Sequence, residues 1–311
     1  MAGEPAVSLA DRYRGVMLGL ACGDALGGPV EFLSRETIDQ TFPEGVTEFV
    51  GGGWLKLFPG EVTDDTQQAL ILARCLTENG LEMNAFAEGL IRWFKSNPKD
   101  IGNTTRAALE ALANGVSPLE SGMVALAARG ASGAAANGGV MRCAPVGLRF
   151  RGDPAGLASA SLESSRITHA EDRAAWATVA VNQAIVHLLN DGGVPDAPEA
   201  AVAGIEHEEI RAAVLGAVNR ERADVAAGGF VLETIGAAFW ALGGASDARD
   251  AIERGVALGE DADSTGAVTG ALAGAAFGAA ALPDSWVSQV QFRDELIGEA
   301  NRLLKLSGRA R

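Results

Sequence analysis

Cysteine is scarce and scattered in this 311-residue chain, where Cys22, Cys75 and Cys143 lie far apart and form no C-x-x-C pair. An odd, widely spaced set argues against a disulfide framework and against a zinc site. Aromatic residues make up only 5% of the chain, whereas glycine contributes 40 residues and alanine is also abundant. Because small side chains let helices approach closely, this composition favours tightly packed helices over an aromatic-rich sandwich.

Clusters of positive charge are also missing. The chain has 25 Lys and Arg residues against 40 Asp and Glu residues, and its net charge is −15. A nucleic-acid-binding protein usually needs a basic face, so we expect no nucleic-acid polymer as a partner. The excess of acidic residues is compatible with cation binding, and equally with an ordinary solvated surface.

Long hydrophobic runs are absent as well. The longest weakly polar run, residues 266–282, consists mostly of Ala and Gly and is short for a membrane span. The N-terminal sequence MAGEPAVSLADRYRG has no basic region followed by an apolar one, so no signal peptide is predicted. We therefore expect no membrane span and, by default, a cytoplasmic location. No low-complexity linker divides the chain, so we interpret residues 1–311 as one domain, which we expect to be monomeric.

Helical periodicity dominates the sequence, and period-two alternation of β-branched residues is rare. Turns are predicted at Asn79-Gly80, Asn97-Pro98, Ser117-Pro118, Gly192-Gly193 and Gly243-Gly244. Extended chain is indicated only within residues 46–57. We expect an all-α fold with helices near residues 8–27, 64–78, 83–95, 103–114, 118–129, 155–164, 170–190, 207–219, 228–242, 246–258, 264–281 and 290–306.

Two of these predicted helices carry glycines four residues apart. The first set is Gly15, Gly19, Gly23 and Gly27, and the second is Gly266, Gly270, Gly274 and Gly278. On a helix, each set forms a ridge without side chains along one face. Each glycine costs roughly 1 kcal/mol of helix propensity relative to alanine, which is reasonable only if another backbone comes close. We infer that the two helices pack against each other, the alternative being a chance result of the Ala/Gly-rich composition.

Two short acidic clusters precede apolar helices. One is Thr63-Asp64-Asp65-Thr66, and the other is Asp261-Ala262-Asp263-Ser264-Thr265. Carboxylate and hydroxyl oxygens suit Mg²⁺ or Mn²⁺ better than zinc or copper. Asp and Thr before a helix are also ordinary N-caps, so each cluster alone is explained by capping. Capping needs only one side chain, however, and four carboxylates brought together would repel strongly unless cations bound between them.

Five segments, in order, resemble the motifs of the ADP-ribosylglycohydrolase family. The resemblance covers residues 12 to 285 and is most similar to the dinitrogenase reductase-activating glycohydrolases, through GGGWLKL at residues 51–57 and DIGNTT at residues 100–105. The five segments are GLACGDALG at 19–27 with Glu31-Phe32, residues 51–66, NGGVMR at 137–142 with Ala144-Pro145, Thr168-His169, and residues 259–266. The resemblance implies a compact, orthogonal all-α bundle with two divalent cations, Mn²⁺ or Mg²⁺, in a cleft.

The resemblance also implies a ligand set for these cations. The metal ligands carried over are Thr63, Asp64, Asp65, Asp261, Asp263 and Ser264. Ser264 stands where the family commonly has Thr, so the oxygen donor is kept but the methyl group that stiffens χ1 is lost. Ala136 replaces a frequent Gly, and Gln67-Gln68 occupies positions that often carry Glu-Met or Ala-Met. None of these departures removes an expected ligand.

The catalytic carboxylate is expected to be Asp100, which matches the catalytic Asp of the subgroup. Glu31 is the alternative base, or a gate beside the metals. Without the family, Asp100 reads as a helix cap and Glu31 as a surface acid. Asp24 lies inside the first glycine-ridge helix, where a buried acid needs a partner, so it is interpreted as a residue that supports the ligands.

A substrate pocket is expected around the glycine-rich loop at residues 133–139, because consecutive backbone N–H groups can cradle a diphosphate. Three of the residues expected to bind the substrate also have a plain structural interpretation. Arg142 is suited to capping a helix end, and His169 to being a buried histidine with its hydrogen bonds satisfied. Phe230 is suited equally to core packing and to stacking on adenine. The expected substrate-binding residues are Asn137, Gly138, Gly139, Met141, Arg142, His169 and Phe230.

The function implied is removal of ADP-ribose from a modified protein side chain, most simply arginine. The expected partner is an ADP-ribosylated protein or a small ADP-ribose conjugate. Hydrolysis of a serine-, nucleobase- or acetyl-linked ADP-ribose remains open, because acceptor specificity lies in loops without a readable pattern. A non-catalytic, crystallin-like relative is the alternative from another class, although the chain keeps all the expected ligands.

Overall fold

The structure is a computed structural model that describes residues 7–308, and its regular elements are almost all helical. In chain order, the α-helices of this range are α1 (Leu9–Gly27), α2 (Arg35–Thr41), α3 (Asp64–Cys75), α4 (Met83–Lys95), α5 (Asn103–Ala113), α6 (Ser121–Ala134), α7 (Ala144–Arg149), α8 (Pro154–Arg166), α9 (Asp172–Leu189), α10 (Ala197–Ala201), α11 (Glu208–Leu215), α12 (Val231–Gly243), α13 (Ala248–Val256), α14 (Ala262–Phe277), α15 (Asp284–Gln289) and α16 (Arg293–Ser307). The predicted all-α fold class is confirmed.

The remaining regular structure is short. Strands β1 (Leu76–Thr77) and β2 (Gly80–Leu81) pair antiparallel around the turn predicted at Asn79-Gly80. An isolated antiparallel bridge joins Gly52 to Leu57, within the segment expected to be extended. Short 3₁₀ turns lie at Gly28–Val30, Val194–Asp196, Arg222–Asp224 and Ala279–Ala281.

Helices α1 and α14 pack along their glycine ridges, as the spacing predicted. A Cβ atom added to Gly19 would lie 2.1 Å from the carbonyl oxygen of Gly270, and one added to Gly270 would lie 1.9 Å from that of Gly19. Gly23 has the same relation to Gly266. Only a hydrogen atom fits at such distances, so the two backbones are in direct contact. Both helices are buried over most of their length.

The helices missed at the sequence level are short. α2, α7, α10 and α15 have 7, 6, 5 and 6 residues, which is fewer than two helical turns. A segment of that length contains too few positions for a 3.6-residue period to be recognised. The predicted helix at residues 118–129 instead runs as α6, with a break at Gly130, whose φ of 69° and ψ of 163° are not helical.

The buried apolar side chains form one cluster, to which α1, α9, α12 and α14 contribute many members. All three cysteines are buried free thiols. No single helix within residues 7–308 is both long and apolar enough to cross a membrane; the bent pair Leu9–Val30 and Arg35–Thr41 meets the length and composition test only when taken together.

Candidate active site

A cavity of about 420 Å³ opens where the N-termini of α3 and α14 come together. Cavities of this volume are typical of small-molecule sites. Its lining residues are mostly acidic, small or polar. They are Glu31, Phe32, Trp54, Asp64, Asp65, Asp100, Ile101, Gly102, Asn103, Thr104, Thr105, Arg129, Gly133, Ala136, Asn137, Gly138, Met141, His169, Gly229, Asp261, Asp263 and Ser264.

The first acidic cluster lies at the start of α3 and does not cap it. Thr63 is the N-cap residue, but its side chain makes no capping hydrogen bond. Asp24 of α1 performs that role instead, since its carboxylate accepts hydrogen bonds from the backbone N–H groups of Thr63 (2.9 Å) and Thr66 (3.0 Å) and from both hydroxyls. Asp64 and Asp65 are therefore left to line the cavity. The expected supporting role of Asp24 has a concrete geometric basis.

The second acidic cluster lies in the corresponding place on α14. Asp261 is the N-cap residue, and its side chain also makes no capping hydrogen bond. The amide of Asn137 donates to Asp261 Oδ2 at 3.2 Å, and the backbone N–H of Asp261 donates to Ala227 at 3.0 Å. Asp263 and Ser264 follow in the first turn and are buried. Both clusters thus point into one cavity from helix N-termini, where the helix dipole favours negative charge.

Glu31 and Asp100 lie next to these clusters. One carboxylate oxygen from each, together with one from Asp263, lie within 4.8 Å of one another. Asp100 is not the cap of α5, because Gly102 is the N-cap and no side chain bonds there. Among the described residues, this acidic group therefore combines one expected metal ligand with both expected catalytic residues.

Burial and mutual repulsion dominate the electrostatics of this cavity. Burial, followed by the charges of the neighbouring carboxylates, raises the pKa of Asp64, Asp65 and Asp263 well above the usual range. Burial likewise raises the pKa of Glu31 to about 8, against a hydrogen bond from Trp54 that lowers it. Carboxylates in such a group cannot all ionise together without a compensating positive charge.

The donor chemistry of the cavity fits a divalent cation. Every side chain of the acidic group offers a carboxylate oxygen, the ligand type that Mg²⁺ and Mn²⁺ prefer. Asp65 Oδ1 is buried and accepts no hydrogen bond from any residue in the described part of the chain. A buried acceptor without a donor is costly, and a cation would satisfy it. The carboxylates that line this cavity can therefore hold a metal ion.

A chain of buried hydrogen bonds leads from Asp64 to the opposite wall of the cavity. Gln68 Nε2 donates to Asp64 Oδ2 at 3.0 Å, and Arg142 Nη1 donates to Gln68 Oε1 at 2.5 Å. Arg142 also donates to the hydroxyl of Thr168 at 2.6 Å, which lies 2.8 Å from His169 Nδ1. Burial lowers the pKa of His169 to about 3, so its ring is neutral at physiological pH.

The glycine-rich segment forms part of one wall. Asn137 donates to the hydroxyl of Thr234 at 3.0 Å and to Asp261, which ties this segment to α12 and α14. Gly138 lies against His169, whose Cε1 would be 2.5 Å from an added Cβ. Met141 lines the floor beside Ser264, whose hydroxyl lies 3.7 Å from the methionine sulfur. Asn137, Gly138, Met141 and His169 are thus brought to one cavity.

Four expected site residues lie behind or beside the lining. Thr63 is buried under Asp24 and Asp65, and Gly139 packs against Ser165. Arg142 is fully buried in the hydrogen-bonded chain, and its guanidinium is already engaged by protein acceptors. Phe230 lies below the guanidinium of Arg173, at 5.4 Å from its ring centroid. In the geometry described, neither Arg142 nor Phe230 contacts the open part of the cavity.

Several lining residues had no signal in the sequence. Trp54 lies in the segment 51–66 and Phe32 in the Glu31-Phe32 pair, but the sequence pattern indicates no individual role for either residue. Arg129 is the one lining residue that carries a positive charge among those described, and it lies in α6 one residue before the break at Gly130. The hydroxyl of Thr104 donates to the carbonyl of Gly133 at 3.3 Å. These residues lie in turns, at a helix start or beside a helix break, and hydrophobic periodicity does not show which of them reach the cavity.

Comparisons with known proteins identify similar chains. The sequence profile of the ADP-ribosylglycohydrolase family matches residues 5–311. The chain is 32% identical over 306 residues to an ADP-ribosyl-[dinitrogen reductase] glycohydrolase of Rhodospirillum rubrum, covering 97% of this chain and 98% of that protein. It is also 32% identical to the ADP-ribosylarginine hydrolase Tri1 of Pseudomonas putida (strain GB-1), covering 92% of this chain and 76% of that protein.

A solved structure is similar over nearly the whole fold. It is described as an ADP-ribosylglycohydrolase-related protein complex, and it aligns with a TM-score of 0.84 at 34% sequence identity. The alignment covers 96% of this chain and 99% of that chain. The similarity therefore extends over almost the whole chain.

Proposed function

This chain belongs to the ADP-ribosylglycohydrolase family, and from that premise we propose that it is a divalent-cation-dependent hydrolase that releases ADP-ribose from a modified arginine side chain. The observation that carries the proposal is the convergence of acidic side chains from the N-termini of α3 and α14, together with Glu31 and Asp100, in one cavity. Helix capping does not account for these clusters, because the side chains of the N-cap residues Thr63 and Asp261 make no capping hydrogen bond.

The cations would be held by the oxygens of the two helix termini. We assign two ions, Mn²⁺ or Mg²⁺, to the expected ligands. These are Thr63, Asp64, Asp65, Asp261, Asp263 and Ser264. Such ions, when bound, orient the hydroxyls of the ribose and polarise water. The unpartnered oxygen of Asp65 supports this assignment, as do the raised pKa values of the buried carboxylates.

Asp100 is assigned as the general base. Cleavage of the bond at ribose C1″ passes through an oxocarbenium-like state that gains positive charge, and a nearby carboxylate stabilises that charge and accepts a proton from the attacking water. Asp100 lines the cavity, is not used as a helix cap, and lies within 4.8 Å of Asp263 through one oxygen. Glu31 belongs to the same group and is the alternative base.

The rest of ADP-ribose would lie along the wall formed by α5, α6 and the glycine-rich segment. The floor of the cavity is acidic, so a diphosphate needs positive charge or N–H groups elsewhere. Arg129 supplies a positive charge, and the backbone at Gly138 can supply N–H donors. Neutral His169 is suited to hydrogen bonding with a hydroxyl or phosphate oxygen rather than to ion pairing.

The function is tested by a panel of substrates. Arginine-, serine- and nucleic-acid-linked ADP-ribose are each incubated with the protein in Mn²⁺, in Mg²⁺ and in chelator. Release of ADP-ribose from the arginine conjugate, dependent on the cation, is the expected result. Release from another conjugate alone would revise the acceptor, and no release from any of them with either cation would refute the proposed activity.

A further inference from the structure

Two exposed aromatic rings stand at the mouth of the acidic cavity. Phe32 is 65% exposed and Trp54 is 53% exposed, although both line the cavity. Their ring centroids lie 5.5 Å apart, and the ring planes are inclined by 41°. We call this pair the aromatic rim. It adjoins Glu31, which follows the 3₁₀ turn Gly28–Val30.

The backbone holds Phe32 in this exposed position. Its φ of 64° lies in the left-handed region, which is unfavourable for a bulky residue. Its N–H donates to the carbonyl of Glu260 at 2.6 Å, and the N–H of Glu260 donates to Leu33 at 2.9 Å. Residues kept in such a conformation without a gain from burial cluster at ligand sites. This conformation and the paired hydrogen bonds to Glu260 keep the Phe32 ring out of the core and at the mouth of the cavity.

Trp54 is held just as firmly. It lies in a tight turn in which Gly52 and Leu57 exchange both backbone hydrogen bonds, at 2.7 and 2.8 Å. Gly53 packs so closely that an added Cβ would lie 2.8 Å from the carbonyl oxygen of Pro29. The indole Nε1 donates to Glu31 Oε2 at 2.7 Å. Trp54 therefore presents its ring to the mouth of the cavity while it fixes one orientation of the Glu31 carboxylate.

We propose that the aromatic rim binds the guanidinium group of ADP-ribosylated arginine, and that Trp54 is also a positioning residue for Glu31. This inference rests on the proposed function, because the guanidinium is the group joined to ribose C1″. A planar, delocalised cation is attracted both by aromatic faces and by carboxylates, and the mouth of the cavity offers both. A serine- or acetyl-linked ADP-ribose presents no cation there. The rim would accordingly select an arginine acceptor.

A binding experiment tests the rim apart from turnover. In the slow Asp100→Asn background, loaded with Mn²⁺, calorimetry gives the Kd of ADP-ribosyl-arginine and of free ADP-ribose. Phe32→Leu should raise the Kd of ADP-ribosyl-arginine by about 3- to 30-fold, which is the range of a cation–π contact. The Kd of free ADP-ribose should stay within about twofold. Unchanged values for both ligands, or equal weakening of both, would overturn the proposal.

Phe58 provides a matched control. Its ring is 74% exposed, it does not line the cavity, and the ammonium group of Lys99 already lies 5.3 Å from its centroid. Phe58→Leu should leave both dissociation constants unchanged. An effect at Phe58 as large as that at Phe32 would mean that any exposed ring matters, which contradicts a specific rim.

Two substitutions at Trp54 separate its roles. Trp54→Phe keeps an aromatic ring but removes the N–H that bonds Glu31, so we expect kcat to fall about tenfold with KM for the arginine substrate within twofold of wild type. Trp54→Leu removes the ring as well and should raise KM in addition. If Trp54→Phe retains the wild-type kcat, the positioning role is refuted.

The two levels of the argument fail differently. A wild-type protein that hydrolyses no ADP-ribosyl conjugate contradicts the proposed function. A wild-type protein that hydrolyses ADP-ribosyl-arginine, while Phe32→Leu keeps the same preference for arginine over serine conjugates, contradicts the aromatic rim alone.

Discussion

Replacing Gly270 by alanine should destabilise the protein, although alanine is the better helix former. The added Cβ would lie 1.9 Å from the carbonyl oxygen of Gly19 and 2.5 Å from its carbonyl carbon. An ordinary C···O contact is about 3.4 Å, so α1 and α14 would have to separate by roughly 1.5 Å. Both partners are backbone atoms of long buried helices, so no side chain can rotate away from the clash.

The magnitude follows from two opposing terms. Overpacking a core costs about 1–3 kcal/mol and more where the neighbours cannot yield, while Gly→Ala in a helix gains about 1 kcal/mol. Because neither backbone neighbour can yield, the upper end of the first range applies, and we expect a net loss of about 2 kcal/mol in the free energy of unfolding. For a chain of this size the melting temperature should fall by roughly 3 °C.

The assay is urea denaturation followed by circular dichroism, in chelator, so that metal binding does not contribute to the measured stability. Gly298→Ala is the matched control, because Gly298 lies on α16, is exposed and has no atom within 4 Å of an added Cβ. It should stabilise the protein by about 0.5–1 kcal/mol. If Gly270→Ala is as stable as wild type while Gly298→Ala behaves as expected, close backbone contact is not what the glycines provide.

Four further outcomes concern the site. Asp64→Asn should abolish turnover and weaken Mn²⁺ binding measured by calorimetry at least about tenfold; wild-type rates would remove the metal hypothesis. Asp100→Asn should lower kcat by about 100-fold or more while free ADP-ribose still binds, and normal turnover would make Glu31 the better candidate for the base. Arg129→Gln should raise the Kd of ADP-ribose about tenfold or more, because a charged contact to the diphosphate is lost. Arg106→Gln, on the exposed face of α5, should leave this Kd unchanged. Equal effects of the two substitutions would refute the diphosphate contact. Burial lowers the pKa of His169 to about 3, so the stability that depends on its neutral ring is complete above pH 6.5 and is lost as the pH falls towards 3. His169→Gln should therefore reduce the loss of unfolding free energy between pH 7 and pH 4.5 by about 2 kcal/mol. Identical pH profiles of the variant and the wild type would contradict this.

Much of the fold was predictable because the glycine spacing in the sequence indicates the contact between α1 and α14. A glycine every four residues on two helices is a pattern with a direct steric meaning, and Gly19 and Gly270 meet as that meaning requires. The acidic clusters at the starts of α3 and α14 were also identifiable, because they exceed what capping needs. Their meeting in one cavity rested on the family resemblance, since spacing along the chain gives no distance in space.

The less predictable parts depend on tertiary contacts. Arg142 reads equally as a phosphate ligand or as a structural cation, and only the buried acceptors Gln68 and Thr168 place it beneath the cavity. The exposure of Phe32 and Trp54 depends on a left-handed residue and on a turn packed against Pro29. Arg129 lines the cavity from α6, one residue before the non-helical Gly130. No hydrophobic periodicity encodes such features.

The contact between α1 and α14 fixes the position of Asp24 relative to the acidic residues at the start of α14. At the end of the ridge, a Cβ added to Gly27 would lie 2.3 Å from the carbonyl oxygen of Ala262. Gly27 follows Asp24 by one helical turn, and Ala262 lies between Asp261 and Asp263. A slip by one glycine step would displace these groups by about 6 Å, more than a cation site tolerates. Because backbone atoms set this alignment, we expect substitutions of apolar core side chains away from the ridge to change the distance between the two carboxylate groups less than a substitution on the ridge does.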